Sequence, residues 1–170
     1  VFIIADYENG NVELKNKIVN GLGDGKYRYS YSINNLNDKN KNTLKHKDII
    51  IKNSNLVVDV NLNHKVENHK LWSPEDPQLY LLEVYLEKII ENEQGLSYEQ
   101  LDHVSEKFGF REFTVKNERF YLNGNPIYLK AAFFEGLYPI KLSFPDSDDM
   151  MIKEILLAKK AGFNMIRPWR

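Results

Sequence analysis

Residues Leu71–Tyr80 read LWSPEDPQLY, and this stretch decides the fold. Proline has no backbone N–H and fixes φ, so Pro74 and Pro77 forbid a helix and exclude a central strand here. Glu75 and Asp76 lie between the prolines, while Leu71 and Trp72 precede them and Leu79 and Tyr80 follow. Large apolar residues beside a short polar turn are usually core. The stretch therefore predicts an extended corner, pinned in a core at both ends and wet in the middle, that delivers the chain into a strand.

Working outward, Leu79–Ile90 alternates with Tyr80, Leu82, Val84 and Leu86 on one face, which predicts a long strand. Upstream, Lys26–Ile33 (KYRYSYSI) has strict period two, with Tyr27, Tyr29, Tyr31 and Ile33 on one face. An aromatic stripe of this kind either stacks on sugars or forms a sandwich core, and strand period favours the core. Val1–Asp6, Asn11–Asn20, Asp48–Lys52 and Leu56–Leu62 predict further strands, with glycine-rich Gly21–Gly25 as a hairpin loop and Asn34–Asn42 as a polar loop. Glu91–His103 is expected to be a loop or short insertion, and Val104–Arg111 to close the domain. Six or seven short strands without helical period predict an antiparallel β-sandwich.

The pattern changes after residue 112. Asn123-Gly124 between Arg119–Leu122 and the next apolar run is a hairpin signal. Ile127–Phe134 (IYLKAAFF) is expected to be one strand buried on both faces, as in parallel sheets. A helix follows, capped by Asp146 or Ser147, with Asp148 and Asp149 in its first turn and Lys159 and Lys160 in its last. Its expected apolar face is Met151, Ile152, Ile155 and Leu156, and Gly162 stops it. Phe163–Ile166 is the next expected strand. Strand, helix, strand makes one βαβ unit.

Composition excludes several classes. Among 170 residues the formal net charge is −1, which gives no basic field for nucleic acid or an anionic membrane surface. No apolar run approaches the ~20 residues of a membrane span. Cysteine is absent, so there is no disulfide framework and no thiolate chemistry. His46, His64, His69 and His103 form no ligand pattern for zinc, and Asp146, Asp148 and Asp149 lack the glycine and distal glutamate of a calcium loop. No cofactor is expected, and the compartment stays open. The chain reads as a piece of a longer protein.

Four strings in order carry a resemblance. WSPEDPQLY resembles the W-S-P-E-x-P-x-L-Y segment of glycoside hydrolase family 2, and Phe108–Arg111 (FGFR) the family's sandwich ending. FYLNGNPIYLKA resembles its F-x-L-N-G-K-P-x-x-L-R-G, and KKAGFNMIR its K-x-x-G-x-N-x-x-R. The family includes β-galactosidases, β-glucuronidases and β-mannosidases. The resemblance implies a mainly β chain, with an immunoglobulin-like sandwich over residues 1–112 and the first βαβ unit of a TIM barrel over residues 113–170. It also implies a retaining glycosidase of β-glycosides whose two catalytic glutamates lie beyond Arg170, so that this stretch alone is inactive.

The same resemblance places Arg167 near the nucleophile, with a barrel-rim ion pair as the alternative. Glu135, at the end of the first barrel strand, and Trp169, which either stacks on sugar or fills the barrel mouth, are weaker substrate-binding candidates. Two elements depart from the family: Ala131–Glu135 stands where G-x-N-x-H is common, and Arg170 stands where a sugar-contacting histidine is common. Arg111 is expected to form a structural salt bridge. The implied partner is a carbohydrate, with self-association as a homo-oligomer or swapped dimer. The alternative is a stand-alone immunoglobulin-like module that binds carbohydrate or protein.

Overall fold

The computed structural model describes residues 1–19, 23–38, 44–52, 57–138, 140–142 and 144–168. The chain divides into two compact units, Val1–Glu112 and Phe113–Arg170.

Among its described residues the first unit contains seven strands: β1 (Phe2–Ala5), β2 (Asn11–Val19), β3 (Gly25–Asn35), β4 (Lys45–Ile51), β5 (Val57–Lys65), β6 (Tyr80–Asn92) and β7 (Gly95–Phe108). These strands pair antiparallel, in a three-stranded sheet ordered β1-β2-β5 and a four-stranded sheet ordered β4-β3-β6-β7. Period-two alternation puts the predicted stripes inward. Val12, Leu14 and Val60 from one sheet meet Tyr29, Tyr31, Ile33, Tyr80, Leu82 and Val84 from the other in a single buried cluster. The unit is a β-sandwich, and its tyrosine stripe is core.

The corner is pinned at Trp72 and at buried Tyr80, whereas Leu71 is not core but 40% exposed. Trp72 N donates to Phe110 O at 3.0 Å, and Ser73 N donates to Asp76 O at 3.0 Å. Asp76 N donates to Ser73 Oγ at 3.0 Å, which closes the wet tip. Beyond it, Tyr80 packs against Phe108 at 5.7 Å and against fully buried Phe110 at 5.0 Å between ring centroids. The Arg111 guanidinium lies over the Trp72 ring at 4.5 Å, where the flat indole face offers a cation a partner.

The expected loop at Glu91–His103 is instead strand. Residues from Gly95 onward form β7, a hairpin partner of β6 turned at Glu93-Gln94, with Gly95 at φ 121°. This strand is the sheet edge and nearly all of it is exposed, so it carries no apolar stripe. The glycine-rich loop at 21–25, the loop at 34–42 and the start of the Leu56–Leu62 strand lie partly outside the described residues.

The second unit begins with a three-stranded antiparallel sheet: β8 (Phe113–Lys116), β9 (Arg119–Leu122) and β10 (Asn125–Ile127). Asn117-Glu118 and Asn123-Gly124 turn it, all four with positive φ, as two-residue hairpin loops require. β11 (Ala131–Phe134), α1 (Asp148–Lys160) and β12 (Met165–Pro168) follow, and β11 pairs with β12 in parallel. Ile127–Phe134 is therefore two strands in two sheets, not one strand buried twice. Ile127 closes the hairpin sheet, and Tyr128, 80% exposed, lies between the two. Ser147 caps α1, its Oγ accepting from Met150 N at 3.2 Å. The helix's apolar residues are not packed as expected: Ile152 is 52% and Leu156 58% exposed. Among the described residues, no side chain of the second unit is buried.

Candidate functional site

The parallel pair β11–β12 holds the sequence-derived candidates. Asn164 fixes where the pair starts. Its Oδ1 accepts from Lys130 N at 2.8 Å, and its Nδ2 donates to Tyr128 O at 2.9 Å. Gly162, at φ 90°, allows the sharp exit from α1 that brings Asn164 there. The resulting register sets Phe133 opposite Arg167 and Phe134 opposite Pro168.

Alternation then divides the pair into two faces. Phe134 and Ile166 join Met151 and Ile155 of α1 around a cavity of about 350 Å3, so that face is covered by the helix. Phe133 and Arg167 take the opposite face, the Arg167 guanidinium 5.6 Å from the centroid of the Phe133 ring. Phe133 is 51% exposed there. Arg167 is thus a cation standing on an aromatic platform at the C-terminal end of a parallel strand, the end where α/β sites collect.

Glu135 follows β11 and lies at the rim of the helix-side cavity, exposed. Sequence reasoning missed a second carboxylate on that cavity. Glu154 of α1 accepts from the Tyr138 hydroxyl at 2.8 Å, and that bond pushes the Tyr138 phenol above its ordinary pKa. Its signal was helical spacing: Met150, Glu154 and Ala158 are the partly covered positions of α1, an i, i+4, i+8 row that apolar counting passes over. Trp169 and Arg170 lie outside the described residues. The cavity is otherwise mostly apolar, and Glu154 is engaged by Tyr138. The site can therefore place a guanidinium on an open face, but double displacement needs two free carboxyl groups ~5–5.5 Å apart on one substrate.

Residues 1–111 match the family described as glycosyl hydrolases family 2. A β-galactosidase of Staphylococcus xylosus is 28% identical over 102 residues, which covers 60% of this chain and 9% of that protein. Among solved structures, a glycosyl hydrolase family 2 member from Bacteroides cellulosilyticus superposes with TM-score 0.80 at 22% identity, covering 99% of this chain and 21% of that one. A β-glucuronidase of Bacteroides uniformis gives TM-score 0.73 at 22% identity, covering 96% and 19%. At these identities the structural likeness shows the fold. The chain spans 9% of the curated relative and 21% or less of these two structures.

Proposed function

This chain belongs to glycosyl hydrolase family 2, and from that premise we propose that residues 1–112 are the immunoglobulin-like scaffold, and residues 113–170 the opening βαβ unit, of a (β/α)8 barrel in a retaining hydrolase of β-glycosides. One observation carries the reading: β11 and β12 run parallel around α1, yet no described side chain of the second unit is buried. A βαβ unit exposing Phe133 on one face and Ile152 and Leu156 on its helix is suited to neighbours on both sides, as the walls of a barrel provide. A stand-alone binding module has no use for such a unit, and the tyrosine stripe that would serve one is buried.

On this reading the two reacting carboxylates come from later strands, and residues 1–170 alone turn over no substrate. Arg167 lies on the barrel-facing side, where its fixed charge favours the ionised form of a neighbouring nucleophile. An adjacent cation lowers a carboxyl pKa by roughly 1–3 units. Phe133 holds the guanidinium in place, and Glu135 at the strand end is a hydrogen-bond acceptor for sugar hydroxyls. The pH profile of kcat/KM for the whole protein tests this. Arg167→Gln is expected to move the acidic limb upward by about 1 unit or more. An acidic limb that stays in place overturns the role of Arg167, and inversion at the anomeric carbon overturns the retaining reaction.

A further inference from the structure

Strand β2 runs on past its neighbour β1. On one side it pairs with β5 all the way from Asn11 to Val19. On the other side β1 reaches only as far as Lys15, which faces Phe2. Asp6 N donates to Asn11 O at 2.8 Å on the β1 side, and Val66 N donates to Gly10 O at 2.9 Å on the β5 side. Backbone groups of an antiparallel strand point alternately to its two neighbours. The N–H and C=O of Glu13, Lys15, Lys17 and Val19 therefore turn towards the β1 side, and those of Asn16 and Ile18 towards β5. Among the described residues, no strand meets Lys17 or Val19 on the β1 side, and Val19 is 76% exposed. A cavity of about 430 Å3 opens at the same place, lined by Val1, Ile18 and Val19 and, from the facing sheet, by Leu86, Leu101 and Asp102. The three-stranded layer thus lacks one strand's width where β1 stops, and an unpaired edge of this kind is a template for another strand.

We propose that the three residues preceding Val1 in the whole protein continue β1 along β2 and close this edge; the inference rests on the reading of this chain as part of a longer hydrolase. In the register that sets Phe2 against Lys15, they lie opposite Lys17, Ile18 and Val19. The first and third exchange backbone hydrogen bonds with Lys17 and Val19. The second falls on the inward side, two positions from Val1 and in step with Ile3 and Ala5, which pack on the core, and its side chain enters the cavity. Continuity selects this occupant: the segment follows on from a pairing already made between Phe2 and Ala5 and needs no new turn. A second copy fits poorly. The edge paired antiparallel with itself about Lys17 sets one Lys17 against the other, and like charges directly opposite are unfavourable.

The test is amide hydrogen exchange, resolved to single residues by mass spectrometry with electron-transfer fragmentation, on the 170-residue chain and on the whole protein. The Lys17 and Val19 amides are expected to exchange about tenfold or more slowly in the whole protein than in the 170-residue chain, while Asn16 and Ile18, bonded to β5, are slow in both. A proline placed immediately before Val1 in the whole protein has no N–H to give Lys17 O, and is expected to restore fast exchange at Lys17. Equal exchange of Lys17 and Val19 in the two proteins, or slow exchange that survives the proline, overturns the proposal. So does slowing in the 170-residue chain that grows with its concentration, which would assign the edge to a second copy. Should the proline variant fail to fold, residues 1–170 extended by only the ten residues before Val1 decide: slowed exchange at Lys17 and Val19 supports the proposal and unchanged exchange overturns it. No arm reads activity, so a negative result leaves the hydrolase reading standing.

Discussion

The guanidinium carbon of Arg111 stands 4.5 Å from the centroid of the Trp72 ring, tying the proline corner to the last residues of the sandwich. Gly109 makes the approach possible. A Cβ there would lie 3.0 Å from Trp72 Cβ and 3.2 Å from the backbone oxygen of Gln78. Gly109→Ala is therefore expected to destabilise the first unit by ~1–3 kcal/mol, the usual cost of overpacking. Arg111→Ala is expected to cost only ~0.5–1 kcal/mol, the range of an exposed cation–π contact. Urea unfolding measures both, and a neutral Gly109→Ala would contradict the packing described.

His64 is 9% exposed, edge-on to Tyr31 at 5.6 Å, and burial followed by the charge of Lys45 holds its imidazole below the ordinary value. A base whose folded pKa is depressed gives stability that is full above its unfolded pKa, ~6.5. That stability declines as pH falls below it towards the folded pKa. The melting temperature is expected to drop between about pH 7 and about pH 5, and the His64→Leu variant to drop less. Parallel pH dependence in the two proteins would assign the acid sensitivity to other groups.

The two units should answer core truncation differently. Leu82 is fully buried and Leu156 is 58% exposed. In the 170-residue chain, Leu82→Ala is expected to cost ~2–5 kcal/mol, and Leu156→Ala within about 0.5 kcal/mol. In the whole protein, the proposed barrel would bury α1, and Leu156→Ala should then approach the cost of a core substitution. Equal small effects of Leu156→Ala in both contexts would count against neighbours packing on that helix.

Apolar exposure on the second unit also predicts self-association of the 170-residue chain. Phe133, Ile152 and Leu156 are each more than half exposed, and such surfaces are seldom left open to water. Sedimentation velocity is expected to show a dimer or larger species growing with concentration, reduced by the double substitution Ile152→Ser and Leu156→Ser. A monomer at every concentration would contradict this.

Much of the sandwich was legible because its signals are local. Tyr27, Tyr29, Tyr31 and Ile33 alternate, and so do Tyr80, Leu82, Val84 and Leu86, and both stripes are buried, although in β3 the intervening Ser30, Ser32 and Asn34 are buried as well. Asn123-Gly124 and Ser147 announced a turn and a cap by their own chemistry. β7 was not legible. Its inward positions include Asp102 and Glu106, both exposed at the sheet edge, so no alternation survives. Ile127–Phe134 read as one strand because hydrophobicity continues across residues that belong to two sheets. At the candidate site, Arg167 was readable from its string, whereas Phe133 beneath it follows only from the parallel register of β11 and β12.

The most direct measurement is turnover of a panel of aryl β-glycosides by the whole protein and by residues 1–170, assayed side by side. The predicted result is release of aglycone from at least one β-glycoside by the whole protein and none above the protein-free blank by the 170-residue chain. Turnover by the 170-residue chain that disappears in Glu135→Gln, or no turnover of any β-glycoside by the whole protein, would contradict the account.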